Sequence, residues 1–375
     1  MKQGWESKKL GDVCEIYQPT TISKKMMILD GEYPVFGANG IIGRYDKYNH
    51  DNPELLVTCR GATCGTVNIS LPNSWINGNA MVIRPKTDGL RRDFLTYFFK
   101  GAVDLSSVIT GSAQPQITRT SLNPVLVPIP PLEEQKQIVA KLDLCFEAID
   151  KAKANAVKNL ENAKELFQSK LNDIFSQKGE GWVEKKLLDV CSLKSGTTIA
   201  KSLEKGSGDI AYIKVADMNI EENLFSITTS SRYLDFKDIN KRNIFPIGTV
   251  IFPKRGGAIA TNKKRITNIP ICADLNTMGA MASDQIVPEY LHYYFLGFNL
   301  LDIANGTTIL QINNYSFDNL KISLPIEYER QKDIVNLLSK LKEQTQSLES
   351  KYQQELNSLE ELKKSILQEA FEGEL

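Results

Sequence analysis

Apolar residues recur at steps of three and four along two stretches of this chain, and the two stretches copy each other. In the first, Ile138, Leu142, Cys145, Ile149, Ala152, Ala156, Leu160, Ala163, Phe167, Leu171 and Ile174 share one stripe. In the second, Ile334, Leu338, Leu341, Leu348, Tyr352, Leu356, Leu359, Leu362, Ile366 and Ala370 do so. Lys, Glu, Gln and Asn fill the faces between, which is the pattern of an amphipathic helix. Gln135, Lys136, Ile138, Val139 and Leu142 match Gln331, Lys332, Ile334, Val335 and Leu338. Leu160, Glu165, Leu166, Ser169, Leu171 and Phe175 match Leu356, Glu361, Leu362, Ser365, Leu367 and Phe371 at the same offset, so the stretches are equally long. A helix of about 44 residues reaches roughly 66 Å, too far to bury its stripe in one small domain. The pattern therefore predicts two long helices packed on each other as an antiparallel coiled coil. Such packing puts the two globular regions at opposite ends, related by an approximate twofold axis.

The copy extends beyond the helices. GWESKKLGDVC over 4–14 returns as GWVEKKLLDVC over 181–191, and FLTYFF over 94–99 as YLHYYF over 290–295. Arg60-Gly61 matches Arg255-Gly256, Gln116-Ile117 matches Gln311-Ile312, and VLV over 125–127 matches LKI over 320–322. Each half is thus a globular region followed by a long helix. The second globular region is the longer, with its extra residues before the Arg-Gly position. The final FEGEL over 371–375 is continued by MKQGW over 1–5 as FSQKGEGW runs over 175–182, so a circular pseudo-repeat with neighbouring chain ends is expected. Short β-branched runs bounded by Gly, Pro and Asn predict strands over 55–58, 65–69, 80–83 and 125–128, and over 211–215, 248–252 and 320–324. Residues 92–100 and 289–297 read as amphipathic helices with aromatic core faces. The fold class is α+β: two mixed globular domains and two long helices.

Charge sharpens the picture. Lys+Arg and Asp+Glu both number 45, so the net charge of zero argues against a generic nucleic-acid-coating protein. The distribution is uneven. Residues 239–273 carry Lys241, Arg242, Lys254, Arg255, Lys263, Lys264 and Arg265 without an acid, and residues 55–87 carry Arg60, Arg84 and Lys86 likewise. Basic globular parts on acidic helices suit a protein that presents patches to phosphate, although solvated loop charges read the same way. No apolar run nears the roughly 20 residues of a membrane span. The N-terminus has no signal-peptide stretch. The cysteines at 14, 59, 64, 145, 191 and 272 form no CxxC pair and suit buried thiols in a reducing cytoplasm. His50 and His292 have no companion ligands at metal spacing.

Catalytic signatures are missing. There is no GxxxxGK[ST] phosphate loop, and the glycines at 37, 40 and 43 lack dinucleotide-fingerprint spacing. Neither Asn52-Pro53-Glu54 nor Asn123-Pro124-Val125 makes the NPP-aromatic run of amino-methyltransferases, and Glu134-Gln135-Lys136 belongs to a helix rather than a nuclease core. A binding protein is the expected class. A coiled-coil scaffold whose globular ends bind protein is the alternative.

Two half-repeats, each opening GWxxxxLxDV and closing on a long helix, resemble the DNA specificity subunit of type I restriction–modification systems. The motifs here are Trp5 to Val13, the closing PPLEEQKQIV over 130–139, Trp182 to Val190, and LPIEYERQKDIV over 324–335. YPVFGANG over 33–40 resembles a frequent opening of that family's target recognition domains. The second closing motif departs by lacking the double Pro. The resemblance implies target recognition domains over 1–130 and 179–325 and spacer helices over 131–178 and 326–375. It implies a split double-stranded DNA target, two adenine methyltransferase (modification) subunits held by the helices, and translocating restriction subunits joining through them. S-adenosylmethionine, ATP and Mg2+ would then sit on those partners, with no cofactor, metal or catalysis in this chain, no membrane contact and a cytoplasmic location.

Base edges are read by donors and acceptors, most often on Arg, Lys, Asn and Gln. Candidate DNA-binding residues lie in Gly- or Asn-rich loops beside strands: Asn39, Arg60, Thr63, Gln114 and Gln116 in the first region, and Lys254, Arg255, Asn262, Lys263, Lys264, Arg265, Thr307, Gln311 and Asn313 in the second. Gln116 and Gln311 recur, which a loop hydrogen bond common to both regions would equally explain.

Overall fold

The computed structural model of this chain describes residues 2–37, 39–111, 114–306 and 309–375. It divides into a first unit, Met1–Val157 with Gln353–Leu375, and a second, Lys158–Tyr352. Each unit takes part of both long helices, because the apolar stripe of each helix is part of the globular core it adjoins. The compact units therefore cut through the helices at 157 and 352, where the sequence pattern suggests boundaries at their ends.

The first unit holds β1 (Glu6–Lys9), β2 (Cys14–Tyr17), β3 (Tyr33–Gly37), β4 (Gly40–Tyr45), β5 (Leu55–Thr58), β6 (Val67–Ile69), β7 (Trp75–Ile76), β8 (Ala80–Pro85) and β9 (Leu126–Ile129). β2-β8-β5-β6 form one sheet, β4-β3-β7 a second, and β1 pairs with β9. All four residues of β5 are buried. A strand covered on both faces reads as a continuous apolar run, which is why this one is visible in the sequence. The helix expected over 92–100 is α-helical over Arg92–Tyr97 and then widens into a π turn over Phe98–Ala102.

The second unit repeats this plan with β10 (Trp182–Lys186), β11 (Cys191–Ser195), β12 (Ile210–Ile213), β13 (Ser226–Ile227), β14 (Tyr233–Leu234), β15 (Val250–Pro253), β16 (Arg265–Thr267), β17 (Ile271–Ala273), β18 (Thr277–Ala282) and β19 (Lys321–Pro325). Its sheet β11-β18-β15-β16-β13 matches the first unit's β2-β8-β5-β6 with one strand added, and β10 pairs with β19 as β1 does with β9. The Gly-Trp opening thus pairs with the strand that leads into the closing motif, as a two-stranded ribbon in each unit. Gly4 and Gly181 turn into it at φ +93 and +80, where a Cβ is disfavoured.

The long helices run Leu132–Phe175 and Tyr328–Glu372. In the first unit Ile138, Leu142, Phe146 and Ile149 are buried with Leu367, Ala370 and Phe371. Full burial of such side chains contributes about 1.5–3 kcal/mol each. Asp150 pairs with Lys363 at 3.1 Å, and Lys153 pairs with Glu360. These pairs show the two segments running antiparallel. In the second unit Leu171 and Ile174 are buried with Leu338 and Tyr293. Two positions of the expected stripe turn outward: Leu348 is 37% exposed and Leu362 46%. Thr345, one turn beyond Leu341, takes the inward place, and Lys363 lies over the Phe146 ring.

One residue of the closing motif ties each helix to its globular part. Gln135 accepts from Arg91 N at 2.9 Å and donates to the carbonyls of Gly89 and Pro130, both at 2.9 Å. Gln331 accepts from Val287 N at 2.9 Å and donates to Gln285 O at 3.1 Å and Pro325 O at 3.0 Å. Both are buried, so three hydrogen bonds satisfy an amide that water cannot reach. At the chain ends, Lys2 bonds Glu134 at 2.7 Å, and a Cβ on Gly373 would meet Lys2 Cβ at 2.5 Å. The ends are neighbours, as the circular repeat predicts.

Candidate nucleic-acid interface

Each central strand, β5 and β15, runs into an Arg-Gly turn. The glycine is required, because Gly61 and Gly256 sit at φ +88 and +69. Opposite the turn lies the recurring Gln. Arg60 bridges Gln116, which also bridges Thr110; Arg255 bridges Gln311, which also bridges Asn305. Ile117 N donates to Cys59 O at 3.0 Å and Gly61 N to Pro115 O at 3.2 Å. Ile312 N donates to Lys254 O at 2.9 Å and Gly256 N to Leu310 O at 2.8 Å. The loop hydrogen bonding common to both halves is thus main-chain bonding. The side-chain amides of Gln116 and Gln311 have no partner among the described residues.

In the first unit a groove of about 660 Å³ is lined by Arg60, Gly61, Ala62, Gln114, Pro115 and Gln116. Arg60, Gln114 and Gln116 are exposed along it, and Thr63 is exposed in the same turn. Asn39 is exposed at the tip between β3 and β4, on the other sheet and outside the groove lining.

In the second unit the candidates separate. Arg255 is exposed, and its guanidinium has no partner among the described residues. Lys254 Nζ donates to Ser195 Oγ at 2.7 Å, and burial together with the Arg255 charge lowers its pKa. Lys263 donates to Asn219 Oδ1. Asn262 closes a 3-10 turn in the left-handed region at φ +52, and its Oδ1 accepts from Leu300 N at 2.8 Å. Asn313 caps the turn over Asn314–Phe317 and donates to Tyr315 Oη at 3.1 Å. Arg265 is half-buried, donating to the carbonyls of Lys264 at 2.9 Å and Met218 at 3.4 Å, and burial lowers its pKa. Thr307 lies outside the described residues.

Lys264 departs from the expectation for a basic loop cluster. It is 1% exposed, its Nζ donates to the Phe298 carbonyl, and burial lowers its pKa to about 8. The register explains why. Val57 pairs Val67 across β5 and β6, and Ile251 pairs Arg265 across β15 and β16, so Lys264 occupies the place of Val67. An inward position of a strand carries this cation, which is not available to a phosphate.

Sequence reasoning also passed over Gln18 and Ser195, which flank the two Arg-Gly turns. A search for recurring residues misses them because they differ between the halves. Among the described residues no three His, Cys, Asp or Glu side chains are grouped as a metal ion would need. No helix there is long and apolar enough to cross a membrane.

The family described as the type I restriction modification DNA specificity domain matches residues 2–159 and 179–358, one copy in each half. The type I restriction enzyme MjaVIII specificity subunit of Methanocaldococcus jannaschii is 23% identical, over 95% of this chain and 92% of the relative. A solved chain, from work on complex assembly and conformational transition of the type I R-M system, superposes with a TM-score of 0.78 at 19% identity, covering 100% of this chain and 99% of that one. The HsdS subunit from Thermoanaerobacter tengcongensis superposes with a TM-score of 0.63 at 19% identity, covering 100% and 98%. These structures share the fold: mixed α+β globular domains combined with a pair of long helices.

Proposed function

The chain belongs to the type I restriction modification DNA specificity family, and from that premise we propose that it reads a split double-stranded target, one half through each unit. It is a DNA target recognition subunit. The observation that carries the split reading is the repeated Arg-Gly turn: one main-chain framework appears twice, holding an exposed arginine each time amid different neighbours. A common framework with changed side chains suits two half-sites of different sequence. In dimeric DNA binders a symmetric protein imposes a symmetric target; a duplicated single chain is free of that constraint. Arg60, Gln114, Gln116 and Thr63 form the first reading surface, and Lys254, Arg255 and Gln311 the second. Asn39 and Lys263 are contacts at the margins, and Asn262, Asn313 and Arg265 hold the loops that carry the readers.

The long helices hold two adenine methyltransferase subunits, and through them translocating nuclease subunits. S-adenosylmethionine, ATP and Mg2+ belong to those partners, and this chain contributes recognition without catalysis, in the cytoplasm. The scaffold alternative is not favoured, since the family match takes in both globular regions.

The test is a methylome. The chain is expressed with its modification subunit in a methylation-free host, and N6-methyladenine is mapped by long-read sequencing. A two-part motif of fixed spacing, modified on both strands, is the expected result. An assembled, soluble complex that leaves no motif and binds duplex DNA without salt dependence would overturn the reading.

A further inference from the structure

The two units present opposite hydrogen-bond polarity beside their arginines. Gln18 follows β2 and Cys59 follows β5; Ser195 ends β11 and Lys254 follows β15. β2 and β5 flank β8 as β11 and β15 flank β18. Cys59 N donates to Asn79 O at 3.0 Å and Lys254 N to Asn276 O at 2.8 Å, so the main chain is the same at both places. The side chains are not. Gln18 Nε2 donates to Cys59 Sγ and to the Gly78 carbonyl, both at 3.0 Å. A carbonyl only accepts, which fixes the amide nitrogen toward Gly78. Oε1 is then left without a partner among the described residues, on an exposed side chain. The Cys59 thiol donates to Asn79 O at 3.1 Å and is buried, so it anchors Gln18 and reaches nothing outside. In the second unit Lys254 spends one N–H on Ser195 Oγ at 2.7 Å and keeps the others.

We infer that these pairs set the base read beside each arginine: Gln18 presents an acceptor to an amino-bearing base in one half-site, and Lys254 presents donors to a guanine in the other. The inference rests on the reading that each unit meets one half of a split DNA target. In the major groove the amino groups of adenine and cytosine are the donors, and guanine O6 and N7 are paired acceptors that suit a lysine. The anchoring contacts matter as much as the free groups. Each side chain is tied to the neighbouring strand end, so little rotamer entropy is lost when a base edge arrives. Gln18 and Lys254 therefore discriminate by polarity, while Arg60 and Arg255 supply the contact common to both halves.

The experiment uses the complex assembled with its modification subunit, a methylome for each variant, and binding to duplexes carrying the mapped target. Lys254→Met keeps the stem and removes the donors. It is expected to make one guanine position of the second half-site tolerant. Replacing that guanine by 7-deazaguanine should weaken the wild-type complex about tenfold and the variant hardly at all. Gln18→Ala should make one adenine or cytosine position of the first half-site tolerant. The exchange Gln18→Ser with Cys59→Lys should move that position toward guanine; should the buried Cys59 position reject lysine, Gln18→Ala still carries the test. Unchanged motifs in both single variants, with assembly and DNA binding intact, would overturn the inference, as would tolerance in the opposite half-site. Absence of any split motif or salt-sensitive DNA binding in the wild-type complex would bring down the half-site reading itself, and this inference with it.

Discussion

Where the first unit sets Val67 against its core, the second sets Lys264; where the first buries Thr96, the second buries His292. The two units share strands, register and turns, yet the second has ionisable groups at places the first keeps neutral. His292 lies 4.7 Å from the Phe225 ring, with Lys264, Arg265 and Lys342 as its charged surroundings. Burial, aided by those three cations, lowers its pKa to about 3, and burial lowers that of Lys342 to about 8. The difference teaches that charge along a chain does not map onto charge at a surface. A duplicated framework tolerates a lysine at an inward position when its stem packs and its ammonium finds a carbonyl.

Six substitutions, in four experiments, would sharpen or break this comparison. The largest effect is expected where the units agree. Gln135→Ala and Gln331→Ala each remove three hydrogen bonds from a buried amide and strand their partners, a loss of about 3 kcal/mol. Hydrogen exchange should show each variant loosening its own unit; equal loosening of both would contradict the division into units. Next comes acid. The unfolded His292 takes a proton below about pH 6.5 that the folded one refuses until about 3, so the unfolded state binds more protons in that window. Stability of the second unit is therefore lost as pH falls, by about 3 kcal/mol near pH 4. His50 in the first unit is also lowered by burial, so the contrast is one of steepness. His292→Thr, matching Thr96, should flatten the acid limb of the second unit in pH-dependent hydrogen exchange; an unchanged limb would count against His292.

Arg60→Ala and Arg255→Ala should each relax one half-site only, by about 1–3 kcal/mol in discrimination, read from the methylome. Relaxation of the wrong half would reverse the assignment of units to half-sites. The smallest effect belongs to Lys264→Met, which restores the first unit's apolar place. DNA affinity and its salt slope should not move, whereas loss of a phosphate contact would lower the slope by about one.

Much of the fold was readable because it repeats. The stripes on both long helices, the central strands β5 and β15, and the Gly-Trp and closing motifs rest on local pattern: period, apolar runs and turn glycines. Strands such as β7, β13 and β14 were not readable. They are two residues long and owe their existence to a neighbour rather than to their own composition. The recurrence of Arg60 with Arg255 and of Gln116 with Gln311 pointed to the paired loops beside the two Arg-Gly turns. The same reasoning misplaced Lys264 and could not find Gln18, whose value as an acceptor depends on a carbonyl 60 residues away in the chain.

By itself the sequence determined the duplication, the two long helices, the α+β class and the family, since periodicity and repeated motifs are properties of the chain read in order. Only the tertiary structure decided which polar groups stay free. Whether Gln18, Lys254 or Lys264 has a hydrogen to give or a lone pair to offer depends on what the opposite strand already takes. That depends on register, a long-range property set when the whole sheet closes.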